Sequence, residues 1–330
     1  MKKKILVTGG TGFLGAYIIQ ELLRKGFSVR AIRRTNKLPE FIDPAILQQV
    51  EWVDGDILDV ISLQEAMAGI DAVIHSAAVV SFIPKEKARM YQVNVDGTAN
   101  VVNMALEAGV SRLIHISSVA ALGRLANGGE VDEEKKWEES KVNTDYAKSK
   151  HKAELEVYRG IGEGLDAVIL NPSTIIGFGN WHTGSCAIFK NIYNGFKFYT
   201  TGLNGFVAVE DVAGAAVLLL EKEISAERFL LNGDNWPFQK LQYAIADGFG
   251  KKRPSKKAGP FLLGIAWRMQ AISSFFSGQR PLLTRESAKV ALSETWFYSE
   301  KINNFLPGFS YTPIETSIKI ACEKYLLQLK

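Results

Sequence analysis

Lys4-Ile-Leu-Val-Thr-Gly-Gly-Thr-Gly-Phe-Leu-Gly15 decides how this chain is read. A short apolar run, Ile5 to Val7, passes straight into glycines at Gly9, Gly12 and Gly15. Apolar residues then recur with helical spacing at Phe13, Leu14, Ile18, Ile19, Leu22 and Leu23. The order is strand, tight turn, helix. Free backbone N–H groups and the helix dipole point into such a turn, and no Cβ blocks a pyrophosphate there. Gly9, Thr11, Gly12, Phe13, Leu14 and Gly15 are therefore candidate anion-binding residues. Their spacing is G-x-x-G-x-x-G, not the commoner G-x-G-x-x-G.

A second motif is Tyr146-Ala-Lys-Ser-Lys150. Residues four apart lie side by side on one helix face. A lysine ammonium near a phenol favours the phenolate, so the pair predicts a tyrosine pKa below its reference of about 10. Such a tyrosine suits general acid or base work near neutral pH. A solvated surface pair has the same spacing. The third motif is Leu113-Ile-His-Ile-Ser-Ser118, followed by Gly123. An apolar strand here ends in two hydroxyls, and in open α/β sheets ligands sit beyond the carboxyl ends of strands.

Working outward, strands are predicted near 4–8, 28–32, 50–53, 71–75, 111–116 and 165–170. Helices are predicted near 13–25, 62–68, 88–108 and 141–160. Gly26, Gly69, Gly109 and Gly164 each precede a strand, as left-handed helix caps do. This alternation predicts an α/β chain with a doubly wound parallel sheet of Rossmann type. Phe206–Val209 and Arg228–Leu231 flank a helical stretch, 211–222, and are both expected to rejoin the sheet. Residues 1–171 and 205–232 would form this nucleotide-binding part, and 172–204 and 233–330, less regular and richer in Phe, Trp, Gly and Pro, a smaller second one. Glu130–Glu139 reads as a solvated acidic loop before the Tyr146 helix.

Of 330 residues, 47% are hydrophobic and 22% charged, with a net charge of +4 and both signs interspersed, so nothing invokes nucleic acid. Cys186 and Cys322 lie far apart without C-x-x-C, which suits a reducing, cytoplasmic setting. The apolar run after Lys2–Lys4 is three residues long, too short for a signal peptide. No run of eighteen uncharged apolar residues predicts a membrane span. Apolar residues at 261, 262, 265, 269, 272 and 276 are helically spaced. A packed amphipathic helix is the plainest reading, with a membrane-surface helix or a lid as others. The four histidines lack metal-ligand spacing, so no metal site is expected, and His115 reads as a satisfied core histidine.

Together these motifs resemble the extended short-chain dehydrogenase/reductase family, from Lys4 to about Ala213 and more weakly to the end. Gly55-Asp56, with Ile57, stands where the family contacts adenine, and Ser76-Ala77-Ala78, after His75, corresponds to a cofactor-lining segment. Val93-Asn94-Val95-Asp96-Gly97-Thr98 resembles the helix with the family's asparagine, which places Asn94 in the catalytic group. Val209-Glu210-Asp211-Val212-Ala213 is similar to the strand-to-helix motif beyond the substrate loop. Ser118 lies five before Gly123, matching S-x-x-x-x-G, so the resemblance gives it the carbonyl oxygen and leaves Ser117 to the cofactor. It gives Tyr146 the proton transfer and Lys150 the nicotinamide ribose. Helices carrying Asn94 and Tyr146 form a dimer interface in the family, which implies a homodimer.

The second strand ends in Arg33 and Arg34, then Lys37, with no acid for a ribose diol. A guanidinium fork suits a 2′-phosphate, so NADP(H) is expected over NAD(H). These positions resemble NADPH-dependent dihydroflavonol reductases, in which Arg34 would stack by the adenine. Asn171-Pro172-Ser173 resembles the N-P-T of those reductases, and is assigned to the cofactor. Asn204-Gly205-Phe206 stands where sugar-nucleotide epimerases carry an arginine. The expected activity is therefore NADPH-dependent reduction of an aldehyde or ketone, with a nucleotide-sugar epimerase or dehydratase as alternative through Arg280 and Arg285. Val80, Phe82, Trp181, His182 and Phe206 are candidate substrate contacts. A non-enzymatic redox sensor is the third class, disfavoured because Ser118, Tyr146 and Lys150 are all present.

Overall fold

Seven strands form one parallel sheet in the order Arg228–Leu231, Ala167–Pro172, Arg112–Ile116, Ala72–His75, Lys4–Thr8, Ser28–Arg33, Glu51–Asp54. The computed structural model describes residues 2–125, 128–277 and 283–329. Helices cover both faces, so the central strands read as continuous apolar runs rather than alternating ones. Ile5, Val7, Ile114 and Val168 face the helices Phe13–Arg24 and Val209–Leu219. Leu6, Val73, Leu113 and Ile169 face Val60–Met67, Gly97–Glu107 and Asp145–Gly162. The strand order reverses between Lys4–Thr8 and Ala72–His75, which opens the crevice where such sheets bind ligands. Gly26, Gly69, Gly109 and Gly164 all have positive φ, as helix-ending glycines should.

Four expectations need correction. Arg228–Leu231 rejoins the central sheet, but Phe206–Val209 does not. Leu203–Ala208 pairs with Thr174–Ile176 and Asp234–Pro237 in a separate three-stranded sheet. Phe206 is taken into a third core around Ile176, Phe189, Trp236, Ile318 and Tyr325, while Val207 packs on the first. The stretch read as one helix, 88–108, is three pieces: Lys87–Tyr91, a π-helical Gln92–Asp96, and Gly97–Glu107. The wider π turn carries Asn94, and such turns concentrate at functional places.

The acidic stretch Glu130–Glu139 is not wholly a solvated loop. Gly129–Val131 pairs with Thr295–Phe297, and the buried Glu133 carboxylate accepts the Leu230 N–H at 2.9 Å. The helix Pro260–Ser277 does not pack with its apolar stripe inward. Leu263 and Trp267 face the body, while Phe261, Leu262, Ile265 and Met269 face outward. No described helix is long and apolar enough to cross a membrane.

Candidate active site

The glycine turn is shaped by contacts that only glycine permits. Gly9 has φ +73°, and a Cβ on it would lie 2.7 Å from the Ala77 nitrogen. A Cβ on Gly15 would lie 2.1 Å from the Gly9 carbonyl oxygen. The Gly12 N–H donates to that same oxygen at 2.9 Å and closes the turn. Gly12 is the N-cap of Phe13–Arg24, and no side chain caps that helix. An uncapped helix N-terminus above a Cβ-free turn fits a dinucleotide pyrophosphate.

A directed chain of hydrogen bonds holds the turn to its neighbours. The Ala77 N–H donates to Thr8 Oγ1 at 3.2 Å, and Thr8 Oγ1 lies 2.7 Å from His75 Nδ1. Thr98 Oγ1 donates to the Asn94 carbonyl at 2.7 Å, so it accepts from His75 Nε2 at 3.0 Å. One proton arrangement satisfies the whole chain: Thr8 donates to Nδ1, and Nε2 carries the ring proton. Burial holds His75 at about 3, so the ring is neutral as this requires.

Asn94 accepts the Val79 N–H at 2.7 Å, and its amide donates to the Val79 carbonyl at 2.9 Å and Ser149 Oγ at 3.0 Å. Both its amide protons are thus used in tying the 76–82 loop to the Tyr146 helix. That is a positioning geometry. His115 is buried against His75, with ring centroids 5.2 Å apart, but neither of its ring nitrogens has a hydrogen-bond partner among the described residues. The expected satisfied histidine is therefore unsatisfied, and burial holds it well below the ordinary histidine range.

Ser118 caps a 3-10 turn, Val119–Leu122, by accepting the Ala120 N–H at 3.2 Å, and Gly123 leaves that turn with φ +77°. This turn is what fixes a serine five residues before a glycine. Ser118 acts on the Tyr146 hydroxyl, lowering its pKa, and the Phe82 ring stands edge-on to Tyr146 with centroids 6.1 Å apart. Thr144 caps the Asp145–Gly162 helix through the Ala147 N–H at 3.1 Å, which aims Tyr146 and Lys150 along one face. The lowered tyrosine pKa predicted above is not found. Burial pushes Tyr146 up to about 12, with Ser118 pulling against it. Lys150 is buried, its ammonium donates to the Ile116 carbonyl at 3.0 Å, and burial brings it down to about 8. The cation is spent on the backbone rather than on the phenol.

The sequence reading missed Glu154. It is buried one helical turn beyond Lys150, where its carboxylate accepts from Ser117 Oγ at 2.5 Å and Asn171 Nδ2 at 2.5 Å. Burial raises its pKa, and its charge in turn raises that of Lys150. The signal was present: Tyr146, Lys150 and Glu154 share one i, i+4 face. Asn171 also donates to the Ser118 carbonyl at 2.8 Å and is wholly buried, so its amide fixes the serine strand end.

The remaining candidates divide. Ser76, Ala77, Ala78, Ser117, Asn171, Pro172 and Ser173 all lie at or just past the carboxyl ends of adjacent central strands. Ser173 Oγ is buried without a partner among the described residues. Arg33 pairs with Asp54 at 2.9 Å, whereas Arg34 is exposed beyond the same strand. Asp56 accepts the Leu58 N–H at 3.1 Å, and Ile57 is buried under Gly97. Val80 is exposed beside the Phe82 loop. Phe206 is fully buried against Phe238, so it lines no pocket. Trp181 stacks on Tyr325 with centroids 5.3 Å apart, inside the third core. His182 is exposed, with Nδ1 accepting from Lys190 at 2.8 Å. Arg285 is exposed, and Arg280 lies outside the described residues.

A cavity of about 520 Å³ opens beside Thr144, walled by Arg124, Leu125, Lys289, Val290 and Leu292. Arg124 bonds Ser293, and burial brings it down to about 10. No three His, Cys, Asp or Glu side chains among the described residues are grouped to hold a metal.

Residues 5–231 match the model of the NAD dependent epimerase/dehydratase family. A Synechocystis protein provisionally named a dihydroflavonol 4-reductase is 30% identical over 305 residues, covering 89% of this chain and 87% of that one. Cinnamoyl-CoA reductase 1 of Petunia hybrida is 32% identical over 243 residues, covering 68% and 71%. The crystal structure of gox2253 is 30% identical, superposes with a TM-score of 0.82 and covers 99% of each chain.

Proposed function

The chain belongs to the NAD dependent epimerase/dehydratase family and is an NAD(P)-dependent oxidoreductase of the extended short-chain type, and we propose that it reduces an aldehyde or ketone with NADPH. The observation that carries this reading is the face of the Asp145–Gly162 helix that sets Tyr146 against Phe82 and one turn from buried Lys150, at the strand end that bears Ser118. A phenol that is protonated at neutral pH can supply the proton that a reduced carbonyl takes.

NADPH, when bound, supplies the hydride. The glycine turn at Gly9, Gly12 and Gly15 would hold its pyrophosphate, and Arg34 would meet the 2′-phosphate. Ser118 holds the substrate carbonyl oxygen, and Tyr146 donates the proton that this oxygen takes as the carbonyl becomes an alcohol. Lys150 orients the ribose with its ammonium. Asn94 and Glu154 position these groups from behind. Segments 172–204 and 233–330 would close over the substrate, with Val80 and Phe82, which stands edge-on to Tyr146, as contacts. The preference for NADPH rests on exposed Arg34 and on the absence of an acid after Ser28–Arg33. The two free cysteines, both buried, fit a cytoplasmic setting. Exposed Leu155 and Tyr158 on the Tyr146 helix support a homodimer through that helix.

A nucleotide-sugar epimerase is the second reading, favoured by Arg124 and Lys289 at the cavity, which suit a diphosphate. Against it, Asn204 is buried and bonds Thr174 at 2.7 Å where an epimerase arginine would stand. Purified protein with NADPH and a panel of aldehydes, ketones and nucleotide sugars tests the choice. Carbonyl-dependent loss of NADPH absorbance, absent in Tyr146→Phe, supports the reductase. Conversion of a nucleotide sugar without net NADPH loss overturns it.

A further inference from the structure

The interspersed charge of the chain fails in one place. Residues 248–285 hold eight cations and no acid, while the rest has 31 cations against 35 acids, a net of −4. Within that stretch Lys251, Lys252, Lys256 and Lys257 are exposed, and Arg253 pairs with Asp247 at 2.7 Å. Lys256–Lys257 pairs with Phe198–Tyr199, so these cations sit on fixed backbone rather than a loose tail.

The helix that follows, Pro260–Ser277, is apolar on two opposite sides. Its inner side is covered: Leu263 and Trp267 pack with Ala258, Ala288, Phe198 and Leu292. Its outer side is not. Phe261 is 83% exposed and Met269 66%, with Leu262 and Ile265 exposed between them. These four residues fall within an arc of about 100°. Exposed Arg268, its guanidinium 4.6 Å from the Trp267 ring, borders the stripe. Phe196, half exposed, adds apolar surface beside the basic strand.

We propose that this face docks on an anionic lipid bilayer, with the Phe261–Met269 stripe seated at the headgroup–acyl boundary and the 251–257 cations on the phosphates. Both components are needed for stable surface binding, apolar area and electrostatic attraction, and both are contiguous here. The helix lies on the membrane, since no described helix can span one. A nucleic acid would use the cations but leave the apolar stripe wet. A second copy meeting this face two-fold would set one acid-free basic segment against another. The inference is independent of which carbonyl, or nucleotide sugar, the active site takes.

The test is co-sedimentation of the full chain with vesicles of phosphatidylcholine alone or mixed equally with phosphatidylglycerol. Two variants accompany it, Phe261→Ser with Met269→Ser, and Lys256→Glu with Lys257→Glu. All four residues are exposed, so both variants should keep the parent thermal midpoint. Binding to the anionic vesicles is expected, at least about tenfold weaker for each variant and for pure phosphatidylcholine, and weakened by high salt. No binding of the parent chain to anionic vesicles overturns the proposal. So does binding that both variants retain, or a shift from dimer to monomer in the apolar variant without vesicle binding.

Discussion

At the Tyr146 hydroxyl, burial and hydrogen bonding oppose each other, and burial wins, to about 12. Lys150 is the group that titrates in the working range, at about 8, because desolvation disfavours its charge. The signs then follow. Tyr146 keeps its proton throughout, and Lys150 is charged below about 8 and neutral above. Reductive kcat/KM should be flat below that pH and fall up to about tenfold per unit above it. Glu154→Gln keeps a hydrogen-bonding carbonyl for Ser117 and Asn171 but removes the charge that supports Lys150. Its pH–rate profile should therefore fall at lower pH than the parent's, while an unmoved limb would make Glu154 merely structural. Tyr146→Phe should lose about 10²–10⁴ in kcat and keep NADPH affinity, measured by fluorescence titration. Arg34→Ala should raise Kd for NADPH at least about tenfold and weaken NADH much less.

The Ser118, Tyr146 and Lys150 motifs were legible because each is a local spacing. Phe206 and His115 were misjudged for a common reason. Whether an aromatic lines a pocket, or a histidine finds partners, depends on elements far away in sequence: Phe238 for one, His75 for the other. The tyrosine shift was missed because spacing places Lys150 beside the phenol but says nothing of the Ile116 carbonyl that engages it.

Among elements, the glycine turn is the least tolerant. Gly15→Ala would put a methyl 2.1 Å from the Gly9 oxygen, a backbone atom that cannot yield without opening the turn. It should abolish measurable NADPH binding and lower the thermal midpoint, whereas Gly162→Ala, with nothing near its Cβ, should change neither. The parallel strands and their helices were readable from period and from the four glycine stops. The π turn at Gln92–Asp96 was not, because its residues keep helical character and only hydrogen-bond register changes. Leu203–Ala208 was placed in the wrong sheet because an apolar strand does not announce its partner. The outward stripe of Pro260–Ser277 had the right period and the opposite orientation, since period alone cannot say which apolar side is covered.

For the whole molecule, exposed Leu155 and Tyr158 give the proposed dimer a test. The 36.4 kDa chain should show twice its mass by light scattering, and Leu155→Asp should return it to a monomer. A monomeric parent would remove the homodimer reading and leave the catalytic one intact.

The third core has a consequence in time. Its members come from Ile176–Phe206, Trp236–Phe249 and Ile314–Tyr325, and Tyr325 both stacks on Trp181 and accepts the Gly179 N–H at 3.0 Å. During synthesis the glycine turn and all seven central strands leave the ribosome before the helix Ile314–Gln328. The nascent chain can therefore hold a nucleotide-shaped half while Phe189, Phe206 and Trp236 still await their cover. Translation arrest or proteolytic trimming near residue 312 would release a half-sheathed species prone to aggregation. The third core is thus completed only when Ile314–Gln328 arrives.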